Sequence, residues 1–394
     1  MRKSALLLFG LVVAALVALG LVVLASAGEA NAVRLHHDPY YFLKRQFAYL
    51  GAGLAVFAAT AWFDYRKWRE RWGLAAAFYV VVFALLVAVF AFRKINGSYR
   101  WIPIGPVNLQ PSELAKLAVV VVSAVWMDRA GWRVELFRRG ALMPMLLVAG
   151  LAAPVLKEPD LGGAMVIGAA GTLVVFVAGG RFLHLVPLGL AGAAAFTATL
   201  LANENRMRRI MPWIASVFGG GARETGQAVA KAISSLDPAA YQSHMSRVAL
   251  QNGGIWGVGL GESMQKHAYL PEAHTDFIFA VGAEELGLFF TIATVALFVA
   301  FFALSLYVAR KATDRFGRFL AFGMAFIVFF QAMFSFGVVS EALPTKGMAL
   351  PFFSYGGTNL VSAFFAAGTI LSVGIHSFND RKRSLARGTV PAER

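Results

Sequence analysis

Ten stretches of mostly apolar residues run through the chain, near 5–27, 46–63, 73–92, 114–127, 141–156, 161–178, 182–202, 284–309, 319–340 and 354–376. A helix needs about 20 such residues to cross about 30 Å of hydrocarbon. The pattern predicts an all-α polytopic membrane protein of about ten transmembrane helices, forming a single domain over 1–394. The runs starting near 114, 141 and 161 are short, so they borrow residues from their flanks or line a cavity. Composition agrees: 58% of residues are hydrophobic and only 14% charged, which excludes a disordered chain and argues against a soluble enzyme. The absence of cysteine excludes disulfides, cysteine-ligated zinc and a thiol nucleophile.

Ten spans put both termini on one side, and the basic residues choose which. That side carries 20 of the 36 Lys and Arg, against 15 on the other, or 8 once the long 203–276 segment is left out. Long loops cross largely regardless of charge, so the short-loop excess marks the cytoplasm. Both termini are then cytoplasmic, with a basic tail at 377–394 and one large extracytoplasmic loop at 203–276. The net charge of +15 is chiefly an orientation signal, reinforced by loops such as Asp64 to Trp72 that anionic headgroups attract. Nothing points to nucleic acid. Ala25-Ser26-Ala27 has the small-residue pattern of a signal-peptide cleavage site, but the preceding apolar stretch exceeds the roughly 7–15 residues of such a segment. A retained helix is the better reading, and cleavage would leave the other nine helices in the same orientation. In the large loop, Arg206 to Phe218 reads as an interfacial amphipathic helix, Gly219–Gly221 breaks it, and 222–235 is compatible with another helix.

The cytoplasmic loops are too short for a nucleotide fold, and there is no Walker-type lysine loop. Gly257-Val-Gly-Leu-Gly261 follows no strand and reads as a flexible loop, not a dinucleotide site. Any substrate therefore arrives already activated. Ionisable residues at membrane depth cost about 2.5–3.5 kcal/mol or more each and are functional candidates by default. Glu113 and Lys116, at i, i+3 spacing, share a helix face; a structural ion pair and a substrate contact, beside Trp101, Gln110 and Ser112, both remain open. The outer turn Lys157-Glu158-Pro159-Asp160 is an ion-pair cluster or a second substrate contact. Glu284 and Glu285 point to different sides of a helix and suit a structural role. Asp276, in a segment that also holds His267, Glu272 and His274, sits where the chain meets the eighth run. That position suits a helix N-cap and equally a general base for a substrate hydroxyl. His36-His37-Asp38 suits solvent or a partner better than a metal. The polar-dense segments 96–116, 157–163, 241–285 and 343–358 all fall at outer helix ends, which predicts one outward-facing site.

Those segments carry a resemblance. Asn96-Gly-Ser-Tyr-Arg-Trp-Ile102 leading to Gln110-Pro-Ser-Glu-Leu-Ala-Lys116 resembles the SEDS proteins (shape, elongation, division and sporulation). So do Gly257 to Lys266, Tyr269-Leu-Pro-Glu-Ala-His-Thr-Asp-Phe-Ile-Phe279, Glu284-Glu-Leu-Gly287, Leu343-Pro-Thr-Lys-Gly347 and Leu350-Pro-Phe-Phe-Ser-Tyr-Gly-Gly357. The likeness runs from about 40 to 376 and lies closer to the cell-division branch than to the rod-shape branch. It implies a ten-helix fold and peptidoglycan glycosyltransferase activity, polymerising lipid II into β-1,4 glycan strands on the outer face of the cytoplasmic membrane. It also implies a class B penicillin-binding protein as transpeptidase partner, alongside other division or elongation proteins. The family's proposed catalytic aspartate corresponds to Asp276. Arg100, Lys116, Lys266 and Lys346 are candidates to stabilise the diphosphate; Glu113, Asp160, Gln265, Glu272, His274 and Ser354 complete the substrate-binding set. A divalent cation, magnesium or manganese, is compatible with the same task, though no carboxylate cluster demands one. Two departures stand out: a longer 215–235 stretch, and Thr358-Asn359 where family members commonly have two serines. The rival readings are a lipid II flippase and a non-catalytic scaffold of the division complex.

Overall fold

The computed structural model describes residues 3–94, 98–105, 107–202, 207, 213, 238–266, 270, 272–344 and 347–386. The expected helices of the large loop, apart from Met207 and Trp213, and both His267 and Lys346 lie outside the described residues.

A helix covers each of the ten apolar runs: α1 (Lys3–His36), α2 (Tyr41–Trp62), α3 (Trp72–Ala88), α4 (Pro111–Ala130), α5 (Met143–Lys157), α6 (Leu161–Val177), α7 (Phe182–Leu201), α9 (Ile278–Lys311), α10 (Arg315–Val339) and α11 (Gly357–Ala386). Within the large 203–276 loop lies α8 (Pro238–Gly253). Among the described residues, seven helices are long and apolar enough to cross a membrane: α1, α3, α5, α7, α9, α10 and α11, with their flanking turns. The 17-residue α6 is apolar but shorter. α2 and α4 have 22 and 20 residues, but Lys44 and Arg45, and Glu113, Lys116, Asp128 and Arg129, lower their apolar character. α4 extends past its apolar run on both sides, as a short run must.

α10 and α11 form the centre, with 67% and 72% of their apolar windows buried, whereas α7 lies at the periphery with 6%. α2 packs along α11, where Gly53 faces the Phe364 ring and Gly368 faces Thr60. Small residues let membrane helices approach where hydrophobic driving force is lacking.

The connections gather at two ends. At one, Tyr65 donates to Asp314, Arg66 pairs with Asp314 and Asp380, and Arg69 lies 4.0 Å from Asp128. At the other lies a short antiparallel hairpin, β1 (Ile102–Ile104) and β2 (Val107–Leu109), pairing Ile102 with Leu109. This hairpin is an addition to the all-helical expectation.

α9 is interrupted near its start. Gly287 has φ 71 and ψ −160, a conformation open to glycine. The backbone groups that the break releases are taken up by residues 254–259: Val258 and Gly259 N–H donate to the Glu284 and Glu285 carbonyls at 3.0 Å, and Leu288 N–H donates to Gly254 at 3.0 Å. The glycine-rich motif is thus an ordered plug in a broken helix, not the flexible loop expected. The reason is steric: a Cβ on Gly287 would lie 2.6 Å from the Ile255 carbonyl oxygen. Gly287→Ala is expected to destabilise the protein by about 1–3 kcal/mol or more, read as a lowered melting temperature in detergent. Gly51→Ala, where a Cβ meets no atom within 4 Å, is the control.

Candidate active site

The hairpin end brings together the four polar segments anticipated from the sequence. Thr358 fastens the hairpin to α11, donating to the Asn108 carbonyl at 3.2 Å and accepting from Gln110 N–H at 3.1 Å. The segment leading into the hairpin delivers Arg100, whose guanidinium donates to the Pro159 carbonyl. The turn at 158–160 joins α5 to α6, and Asp160 caps α6 by accepting from Gly163 N–H at 3.1 Å and from the Ser112 hydroxyl at 3.3 Å. Tyr355 N–H donates to the His274 carbonyl at 3.0 Å, joining the fourth segment to the third.

Asp276 lies in this convergence. A turn centred on the Glu272 carbonyl sets its direction, accepting from the N–H groups of Thr275, Asp276 and Phe277 at 3.1, 3.1 and 3.4 Å. The N-cap alternative is not met: α9 starts at Ile278 with Phe277 at the cap and no side-chain capping bond. Instead the carboxylate faces the backbone of Gly347, where any Cβ would overlap it. Loss of water around the partly buried carboxyl, then the nearby Glu272 and Asp160 charges, push Asp276 up to about 7, against the lowering pull of Arg100. A carboxylate so tuned can accept a proton at neutral pH.

Glu158, beside Arg100 and Asp160, is fully buried, and among the described residues neither of its carboxyl oxygens has a hydrogen-bond partner. Burial first, then the Asp160 charge, pushes it up to about 8, against the lowering pull of Arg100. Lys157 is exposed and forms no ion pair among the described residues, so the expected ion-pair cluster reduces to the two carboxyls and Arg100. His274 stacks on Phe42 with centroids 4.2 Å apart, and desolvation lowers its pKa. Glu272 is exposed and accepts from the Thr275 hydroxyl at 2.9 Å. Ser354 caps a turn, accepting from Leu350 N–H at 2.7 Å.

Two buried polar networks lie behind this surface. Lys116 reaches Glu113 at 2.7 Å and Gln331 at 2.6 Å; Gln331 donates to Asn359 at 2.9 Å, and Ser362 donates to Glu113 at 3.0 Å. The departure at Thr358-Asn359 is therefore structural on both counts, one residue holding the hairpin and the other the network. In the second network, Lys266 donates to Ser26 at 2.9 Å and Gly261 at 2.5 Å and lies 3.4 Å from Glu285. Glu285 accepts from Ser26 at 2.5 Å, while Glu284 takes Ser263, Asn252 and the N–H of Gln265. Lys266 and Gln265 thus face the α1–α9 seam. His36 stacks on Tyr41 at 3.6 Å and Asp38 pairs with Lys44 at 2.7 Å. Among the described residues no three His, Asp or Glu side chains form a group able to hold a metal. The roles of Gly347, Gln331 and Asn359 were not foreseen; the glycine carries a sequence signal as the last residue of the Leu343–Gly347 motif, Asn359 one as a departure from the family pattern, and Gln331 none.

Residues 6–379 match the cell cycle protein family of FtsW, RodA and SpoVE. The chain belongs to that family. It is 38% identical over 372 residues to a probable peptidoglycan glycosyltransferase FtsW of Geobacter metallireducens, covering 92% of each chain. It is 35% identical over 374 residues to the protein of the same description in Coxiella burnetii, covering 92% of this chain and 94% of that one. Among solved structures it resembles a chain of a peptidoglycan synthase complex that coordinates polymerization and crosslinking, at TM-score 0.68 and 28% identity over 94% and 98% of the two chains. The rod shape determining protein RodA of Thermus thermophilus superposes at TM-score 0.64 and 26% identity, over 94% and 96%.

Proposed function

We propose that this family member is a peptidoglycan glycosyltransferase that joins lipid II disaccharides into β-1,4 glycan strands during cell division or shape maintenance. It works as a ten-span protein of the cytoplasmic membrane, with both termini inside and the Asp276 end outside, beside a class B penicillin-binding protein that crosslinks the strands. The relatives' descriptions support the activity, and the synthase-complex neighbour supports a partner. The observation that carries the chemistry is Asp276, raised towards neutrality beneath Gly347 and facing Arg100.

In the proposed step the Asp276 carboxylate accepts the proton of the acceptor's GlcNAc 4-hydroxyl. That oxygen forms a bond to the donor's anomeric carbon as the carbon–oxygen bond to the polyprenyl diphosphate breaks. The diphosphate leaves with the electron pair and the anomeric configuration inverts, so no nucleotide is consumed. Arg100 is the cation best placed to meet charge developing beside Asp276, with Lys346 a further candidate; a divalent cation would assist in the same place. Asp160 and Ser112 fix the turn that carries the buried Glu158. Lys116 and Lys266 act through the two networks they organise.

Purified protein supplied with lipid II in liposomes tests the reading. Polymer without flipping supports the enzyme; flipping without polymer supports the transporter. The pH profile tests the base. Because the carboxylate is the active form and its pKa is about 7, polymerisation should rise roughly tenfold per pH unit below 7 and level off above. Arg100 lowers that pKa, so Arg100→Ala should move the rising limb to higher pH. A shift to lower pH overturns the assignment.

A further inference from the structure

At the end of the bundle opposite Asp276, α3, α4 and α5 diverge around a cavity of about 800 Å³. Its wall is apolar, with Ala76, Val80, Val122 and Leu147, and the Tyr79 hydroxyl there is satisfied by the Leu147 carbonyl at 3.0 Å. Its rim is cationic: Arg129, Arg138 and Arg139. All three are exposed, and among the described residues none has a carboxylate within 4.0 Å, although the Asp128 charge lies near enough to Arg129 to feel it. Arg129 instead lies over the Trp72 ring at 5.6 Å. The nearby acids are engaged elsewhere, Asp128 with Arg69 and Glu135 with Arg181 at 2.6 Å.

The dimensions fit a bilayer. From Trp72 to Val80 and from Arg129 to Val122 the helices run about 10–12 Å, within one leaflet's share, about 15 Å, of the hydrocarbon. Trp72, at the rim, is 58% exposed, and Trp132, in the turn that follows α4, is 74% exposed, as expected of indoles at headgroup level. α3 turns Val80 and Val81 outward, 62% and 56% exposed, so the cavity borders the lipid-facing side.

We infer that this cavity binds one anionic phospholipid, its phosphodiester held by Arg129, Arg138 and Arg139 and an acyl chain between α3, α4 and α5. Guanidinium pairs with phosphate through charge-assisted, often bidentate hydrogen bonds, and three guanidinia with no ion-paired carboxylate favour a headgroup of net negative charge over a zwitterion. The site is separate from Asp276, and the inference does not rest on the proposed reaction.

Delipidated full-length protein, examined by native mass spectrometry with phosphatidylglycerol, phosphatidylcholine of the same chains, or polyprenyl phosphate, tests it. At roughly fivefold per basic residue, phosphatidylglycerol should be retained about 100-fold over phosphatidylcholine. Arg138→Gln with Arg139→Gln should weaken it about 25-fold without changing the melting temperature measured lipid-free. Ala76→Phe, which fills the cavity, should remove it while leaving the rim intact. Equal retention of the two phospholipids, undiminished retention in the double variant, or selective displacement by polyprenyl phosphate overturns the assignment.

Discussion

Asp276→Asn is expected to abolish glycan polymerisation from lipid II while leaving the protein folded. Asparagine keeps the shape of the side chain, so the turn on the Glu272 carbonyl and the contact with Gly347 persist. What disappears is the group proposed to take the acceptor's proton. Loss of a general base lowers rates by about 10²–10⁴-fold, enough for a gel assay of polymer length to decide. Asn is also uncharged at every pH, so any residual activity should lose the limb near pH 7. Near-normal polymer from a variant that melts like the wild type would remove Asp276 from the chemistry. Continued complementation of a deletion strain by that variant would favour the scaffold reading.

What could be read from sequence, and what could not, follows the range of the interactions. The apolar runs foretold where helices form because burial in hydrocarbon imposes a local length, and among the described residues seven of those helices are long and apolar enough to cross a membrane. The Glu113–Lys116 pair was legible because i, i+3 spacing is local to one helix. Its other partners, Gln331, Asn359 and Ser362, lie more than 200 residues away, and no spacing rule joins them to it. Asp276 was legible as a candidate but not as a choice between cap and base, since that depends on where α9 begins and on Gly347 across the site. The Gly257–Gly261 motif misled for a related reason. Glycines that permit close backbone approach look, in sequence, like glycines that permit motion; only the break at Gly287 distinguishes them.

The Lys116 network yields the other large expected effect and separates the two roles left open for it. Lys116 is 3% exposed and Glu113 7%, so Lys116→Met leaves a buried carboxylate facing Ser362 alone. Breaking such a pair costs about 3–5 kcal/mol, whereas replacing both partners with neutral groups of similar size is often neutral. Lys116→Met should therefore lower the melting temperature sharply, and Glu113→Gln added to it should restore most of the loss. If the pair serves structure, the restored double variant also recovers polymer formation, because the hairpin, Thr358 and Asp276 return to place. If Lys116 instead holds the diphosphate, the double variant folds but stays inactive, with its deficit in lipid II binding. The structure favours the first outcome: the ammonium already has Glu113 and Gln331 within 2.7 Å, inside the packing of α4, α10 and α11.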